Sequence, residues 1–279
     1  MKQTQLLRKL IIGFFPLLVF IITGGLFHWP WAGFDKPLYD WMQLLFVPVV
    51  VALIAVQFNR IDKENELAIA SDNQRESALQ GYFDRMSKLV LKENLATPQP
   101  DNKVITIARA RTLTALRSLD ASRKRSVIQF LSESRLFESI DLSEANLSEA
   151  DLSYANLNKA NLSGANLRNA KLNKANLSGA KLDYADLIEA DLRDADLRDA
   201  NLSGADLRDA KPFGADLSGT NLRDAKLNKA DLSGANLRDA EIDKSSLDKA
   251  QVTSKQYATL KIIIPPPPPP SNDIGYAGY

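Results

Sequence analysis

The 279-residue chain has no cysteine and one histidine, so disulfides, thiolate metal sites and cysteine nucleophiles are excluded. His28 has no second histidine to share a ligand set with and reads as an interfacial side chain rather than a ligand. No glycine-rich phosphate loop and no nucleophile motif is present. Net charge is +1, so overall balance names no partner. Tryptophan is confined to positions 29, 31 and 41, and six of the thirteen prolines stand in one run near the C-terminus.

Two uncharged stretches, Leu10–Phe27 and Trp41–Phe58, are each 18 residues long. As helices each would reach about 27 Å, enough to cross a bilayer. Basic residues precede the first, as in a signal peptide, but the run is long for one and no A-x-A site follows. The sequence therefore predicts a membrane hairpin over 1–58. Between the runs, Trp29, Trp31, Phe34, Tyr39 and Trp41 form an aromatic belt, while Arg60 and Lys63 follow the second run. The positive-inside rule puts both termini in the cytoplasm, on a bacterial inner or thylakoid membrane.

Residues 59–139 read as a cytoplasmic helical neck that caps the segment beginning at Ile140. Leu79, Tyr82, Phe83, Met86, Leu89 and Val90 recur at three and four. After the break Thr97–Asp101, further helical patterns run from Val104 to Leu119 and from Ala121 to Phe137, the latter with Asp120 as a cap. Eight basic and two acidic residues lie between Lys103 and Arg135, densest at Arg123-Lys124-Arg125. With no interleaved aromatics, headgroup contact or plain solvation ranks ahead of nucleic acid there. Self-association through neck or membrane helices is left open.

From Ile140 to Val252 one phrase, A-[D/N]-L-x-x, recurs 23 times without a frame slip. A period of five would smear leucines around a helix and throw them onto alternate faces of a strand. It makes sense only if the chain bends once per pentad, with alanine and leucine inward and the other three positions in water. The predicted core is Leu142, Leu147, Leu152, Leu157, Leu162, Leu167, Leu172, Leu177, Leu182, Leu187, Leu192, Leu197, Leu202, Leu207, Leu217, Leu222, Leu227, Leu232 and Leu237.

Runs such as NLSGANLRNAKLNKANLSGA and DLRDADLRDANLSGADLRDA resemble the pentapeptide-repeat family. That resemblance covers some two fifths of the chain. It implies an all-β right-handed quadrilateral β-helix with four pentads per coil, here preceded by two transmembrane helices and the neck. ALQGYFDRMSKLVL and ARARTLTALRSLDASRKRSVIQFL are similar to the helical segment that precedes such repeats in cyanobacterial membrane proteins.

Asp183–Asp209 carries nine acidic and three basic residues. The candidate interaction surface is Asp186, Glu189, Asp191, Asp194, Asp196, Asp199, Asp206 and Asp209, with Phe213 as an aromatic beside Pro212, which interrupts the leucine column. Members of the family that mimic duplex DNA occupy topoisomerases, and this acidic band would be the means of it. Arg193, Arg198 and Arg208 lie within the band and would cancel part of its field. Close carboxylates on a convex, solvated coil lack the shelter acid–base chemistry needs. No cofactor, metal or enzymatic activity is expected. The expected function is a membrane-tethered scaffold that presents the β-helix to an unidentified protein, with topoisomerase mimicry as the alternative. Residues 253–279 read as a short capping helix, through the box Thr253–Gln256, and a proline-rich disordered tail.

Overall fold

The computed structural model describes residues 36–92, 95, 102–257 and 261–263; for 36–47, 50, 102, 138, 257 and 261–263 only the backbone is described. The chain divides into two compact units, Met1–Ala68 and Ile69–Tyr279. In the first unit the described residues belong to α1 (Lys36–Lys92), a single helix that also supplies the start of the second unit. It includes residues 36–40, expected in a connecting loop, and carries Pro48 inside it. Among the described residues no helix is long and apolar enough to cross a membrane. The two transmembrane helices expected at 10–27 and 41–58 are thus not supported. The first lies outside the described residues, and the side chains of the second are described only at 48, 49 and 51–58.

In the second unit, α2 (Asn102–Ser118) and α3 (Ala121–Glu133) pack with the end of α1, followed by a 3-10 turn at Leu136–Glu138. Tyr82, Met86, Ala108, Leu116, Val127, Ile128 and Leu131 are buried together. The rings of Tyr82, Phe83 and Phe130 lie 5.4–6.2 Å apart, in tilted and edge-on arrangements. Asp120 starts α3 by accepting from Arg123 N–H at 3.0 Å. The Arg123 side chain joins Asp72, Glu76 and Asp120, tying α3 to α1.

The pentads form a coil of four. Residues 20 apart pair in parallel, from Asn146 with Asn166 through Asn201 with Asn221. From Leu142 through Leu207 each leucine N–H donates to the next coil (Leu142 to Asn161 O, 3.0 Å), and from Asn166 through Asn236 the residue in the [D/N] position donates its N–H back to an alanine carbonyl of the preceding coil (Asn166 to Ala145 O, 2.9 Å). The bend is a turn closed by alanine N–H to leucine carbonyl, as from Ala145 to Leu142. Its second outward residue is left-handed, with φ between 56° and 72° along the repeat. Such a corner favours glycine and asparagine, and the chain nonetheless accepts lysine, tyrosine and acidic residues there.

The [D/N] position does more than face water. Its side-chain oxygen accepts the N–H two residues on, as in Asp141 to Ser143 N (2.7 Å) and Asn176 to Ser178 N (3.1 Å), the geometry of an Asx turn. Aspartate and asparagine both offer that acceptor, which is why they interchange. Inside, the nineteen leucines are at most 2% exposed. Burying one such side chain stabilises by about 1.5–3 kcal/mol.

Two short strands, β1 (Asn221–Leu222) and β2 (Glu241–Asp243), continue the ladder. A one-turn helix, α4 (Lys244–Leu247), takes the place of a flat pentad where Ser245 replaces alanine. The Thr253–Gln256 box forms at α5 (Ser254–Tyr257): Thr253 N–H donates to the Gln256 carboxamide oxygen at 2.8 Å. Beyond the expected last coil, β3 (Lys261–Ile263) adds a further strand, in register on β2. The rest of the proline-rich tail lies outside the described residues.

Candidate interaction surface

Four pentads per coil give the repeat four faces, and position in the sequence fixes the face. Asp186, Glu189, Asp206 and Asp209 fall on the face built around Leu187 and Leu207. Asp191, Asp194 and Phe213 fall on the next face, and Asp196 and Asp199 on the one after it. The carboxylates of the candidate surface therefore wrap around three faces instead of forming one patch.

Five of these eight carboxylates are also paired. Arg193, Arg198 and Arg208 each grip the aspartate two residues earlier through two nitrogens, with Nη2–Oδ2 distances of 2.6, 2.7 and 2.8 Å to Asp191, Asp196 and Asp206. Arg168 reaches Asp186 at 2.9 Å, and Lys226 and Lys229 stand 3.7 and 3.9 Å from Asp206 and Asp209. The Arg193 and Arg198 hydrogen bonds hold the Asp191 and Asp196 carboxyls below the usual range. At Asp206 burial opposes ionisation, but the bonds from Arg208 overcome it and the pKa is again lowered. These carboxylates stay ionised and paired at neutral pH. Glu189, Asp194, Asp199 and Asp209 remain exposed at left-handed corners, Glu189 and Asp209 on one column and Asp194 and Asp199 on two others.

Pro212 costs the ladder one bond, because position 212 has no N–H for Asp231 O, and the bridge between 211 and 231 is missing. The register survives: Asp194 N–H still donates to Phe213 O at 3.0 Å. Phe213 is 49% exposed, and its ring lies 3.8 Å from where a β-carbon of Gly234 would stand, so it covers a glycine of the next coil. Sequence reasoning passed over two other aromatics, Tyr154 and Tyr184, which are 65% and 75% exposed. The signal was available, since both interrupt the small or charged residues of the outward positions. The Lys174 ammonium sits 5.5 Å above the Tyr154 ring.

Several cations of the neck's basic stretch reach the first coil of the repeat. Arg109 donates to Asp141 O (3.0 Å) and Ser143 O (3.1 Å), and Lys124 to Ser148 O (2.9 Å). In later coils these carbonyls accept from the coil before; in the first coil nothing precedes them. Lys124 is 5% exposed and desolvation lowers its pKa. Arg125 pairs with Asp151 at 3.3 Å.

Near the other end, α4 opens the ladder. No bridge joins 226 to 246, and Lys229 N–H reaches Lys249 O, one residue beyond the usual partner. The result is a cleft of about 650 Å³ lined by residues 224–228, 243–246, 248 and 249, with three lysines and three aspartates. Among the described residues no group of three or more histidine, aspartate or glutamate side chains is placed to hold a metal.

A parallel solenoid of pentads, with an Asx turn at most corners, defines the class. The description "Pentapeptide repeats" matches residues 140–179, 175–211 and 215–250, in eight copies. Among solved structures, Rfr23 of the cyanobacterium Cyanothece 51142 is 40% identical over 36% of this chain and 63% of its own, with a TM-score of 0.26. The protein alr5209 of Nostoc PCC 7120 is 36% identical over 42% of this chain and 84% of its own, with a TM-score of 0.25. QnrB1, a plasmid-mediated fluoroquinolone resistance protein, is 20% identical over 37% and 64%, with a TM-score of 0.18. No curated protein matches the sequence. The chain belongs to the pentapeptide-repeat family, on its repeat and these sequence matches rather than on the superpositions. It spans a little under two thirds of Rfr23.

Proposed function

We propose that the protein is a non-catalytic scaffold held at a membrane, whose β-helix binds another protein. Pentapeptide-repeat proteins are in general structural and interaction proteins, which supports the first half of this reading. The observation that carries the tether is α1: Val49, Val51, Leu53, Ile54, Val56 and Phe58 are 44–62% exposed. At 100° per residue these six fall on two opposite sides of the helix, with the exposed Ala52 and Ala55 between them on one flank, and a helix apolar on opposite sides belongs in lipid or in a core. Within its own unit no described residue covers them. The lipid bilayer is then one partner, with the cytoplasmic side set by Arg60 and Lys63. The hairpin raises the local concentration of the repeat near other membrane-bound proteins.

The DNA-mimicry alternative needs a continuous acidic face. Carboxylates gripped by arginines and divided among three faces do not favour it.

Proximity labelling in living cells, with the labelling enzyme fused after Tyr279, tests the scaffold. A partner labelled only when residues 145–250 are present supports it, and identical labelling without them refutes it. A topoisomerase as that partner would reverse the ranking. Extraction of the membrane fraction with alkaline carbonate tests the tether separately: the chain should stay with the lipid, and release into the supernatant would remove it.

A further inference from the structure

The cleft beside α4 exposes a short piece of strand that is paired on one side only. Toward the preceding coil, residues 225–228 are bonded as elsewhere in the repeat. Lys226 N–H donates to Ala205 O and Leu207 N–H to Lys226 O, both at 2.9 Å, and Asp209 N–H donates to Asn228 O at 3.0 Å. On the other side, Asp224 N–H turns to the Asp243 carboxylate (2.5 Å) and the ladder resumes only at Lys229. Between these points Leu227 N–H and Ala225 O have no hydrogen-bond partner among the described residues. Leu227 and Ala225 are nevertheless 1% and 2% exposed. Unpaired backbone groups on buried residues are rare, because each carries its desolvation cost without a bond to offset it.

The cause lies in the next coil. Ser245 and Ser246 stand where other pentads have alanine and then aspartate or asparagine, and α4 coils them away from the rung. What is left is an acceptor and a donor bracketing one residue of a strand edge, the pattern that the main chain of a second parallel strand satisfies. Lys226 shows the fit, since it is held on Ala205 and Leu207 in this way. A residue of an incoming peptide repeats it one layer further on, with its N–H to Ala225 O and its carbonyl to Leu227 N–H.

The surroundings narrow the choice of peptide. Three lysines and three aspartates line the cleft, a balance that favours neither an anion nor a cation and suits a neutral main chain with polar side chains. Residue 226 points outward while 225 and 227 point inward, so the peptide residue over 226 points out and its two neighbours point in. There Leu247 is already fully buried, and only small neighbours fit. The cleft volume, about 650 Å³, lies within the range of ordinary ligand sites.

We propose that this cleft captures an extended segment of another protein, with a small, polar, small sequence, as a parallel rung on residues 225–227. The inference deepens the scaffold reading and rests on it for the biological partner. Its test uses synthetic peptides, so failure here leaves the proximity-labelling result standing.

The probe is acetyl-Gly-Ser-Asn-Ser-Gly-amide, titrated calorimetrically into the full-length chain. It should bind and slow amide exchange at 225–228, and methylation of its asparagine nitrogen should weaken binding roughly tenfold by removing the bond to Ala225 O. Leu227→Pro deletes the donor on the protein side and should weaken binding by a similar factor; Pro212 shows that the repeat keeps its register with proline in a leucine position. The methylated peptide makes the same test on the unaltered protein, so the result does not depend on how the variant folds. Equal binding of the methylated and parent peptides would overturn the proposal, as would binding without slowed exchange at 225–228, or no binding at all. Equal slowing by inorganic phosphate alone would overturn it too and assign the cleft to an anion.

Discussion

The two ends of the β-helix face the same problem and solve it with different chemistry. At the first coil, charged side chains from separate helices reach across to the open carbonyls: Arg109 takes two and Lys124 one. At the last, a neutral amide does the work, since Gln256 donates to Leu232 O (2.6 Å) and Ala235 O (2.8 Å) while fixing its own turn through Thr253. The first end needs a folded neck before it can be closed; the second is closed by residues within 24 positions of the carbonyls they serve. A solenoid is stabilised mainly by neighbour-to-neighbour interfaces, so an end that depends on a distant partner is where the stack is most easily undone.

That contrast can be broken from either side. Arg109→Ala should have the largest effect, about 2–3 kcal/mol, because it leaves two partly buried carbonyls without a donor; urea unfolding monitored by circular dichroism reads it. Gln256→Leu removes two buried bonds at the other end and should cost about 1–2 kcal/mol by the same assay.

Asp120→Ala removes the cap of α3 and should cost about 1 kcal/mol, less where solvent screens it. The same residue makes the neck acid-sensitive. Burial alone would raise its pKa, but the Arg123 backbone bond, Ser122 and the Arg123 guanidinium pull it down to about 2. Its unfolded value is about 3.9, so its contribution is complete above that pH and is lost as pH falls toward 2. Tyr82 marks the alkaline side: burial, partly offset by the Thr112 hydroxyl, raises it to about 12. Its contribution is complete below about pH 10 and disappears as pH rises through 12, which absorbance of the tyrosinate would follow. Smallest of all, Arg198→Ala should leave the unfolding midpoint within experimental scatter, since its pair with Asp196 is solvated.

The repeat was legible because a leucine every five residues permits few geometries, and the capping box at Thr253–Gln256 was legible because its two ends are three residues apart. What escaped the sequence depends on long reach. Nothing in RKR says that Arg123 binds α1, Lys124 is buried on Ser148 and Arg125 meets Asp151, because each partner lies more than twenty residues away. The acidic band is continuous along the chain but not in space, because each pentad turns onto a new face. Strand β3 was missed since KIII follows a helix and precedes prolines, and only stacking on Glu241–Asp243 makes it a rung. The left-handed corners were invisible wherever the residue was not glycine.

The most direct measurement is amide hydrogen exchange on the full-length chain carrying Arg109→Ala and Lys124→Ala together. The account predicts that protection falls first at residues 141–160 and then spreads toward the C-terminus, with 230–250 affected last. Loss of protection beginning at 230–250, or an unchanged first coil, would contradict the claim that the neck's cations close the β-helix.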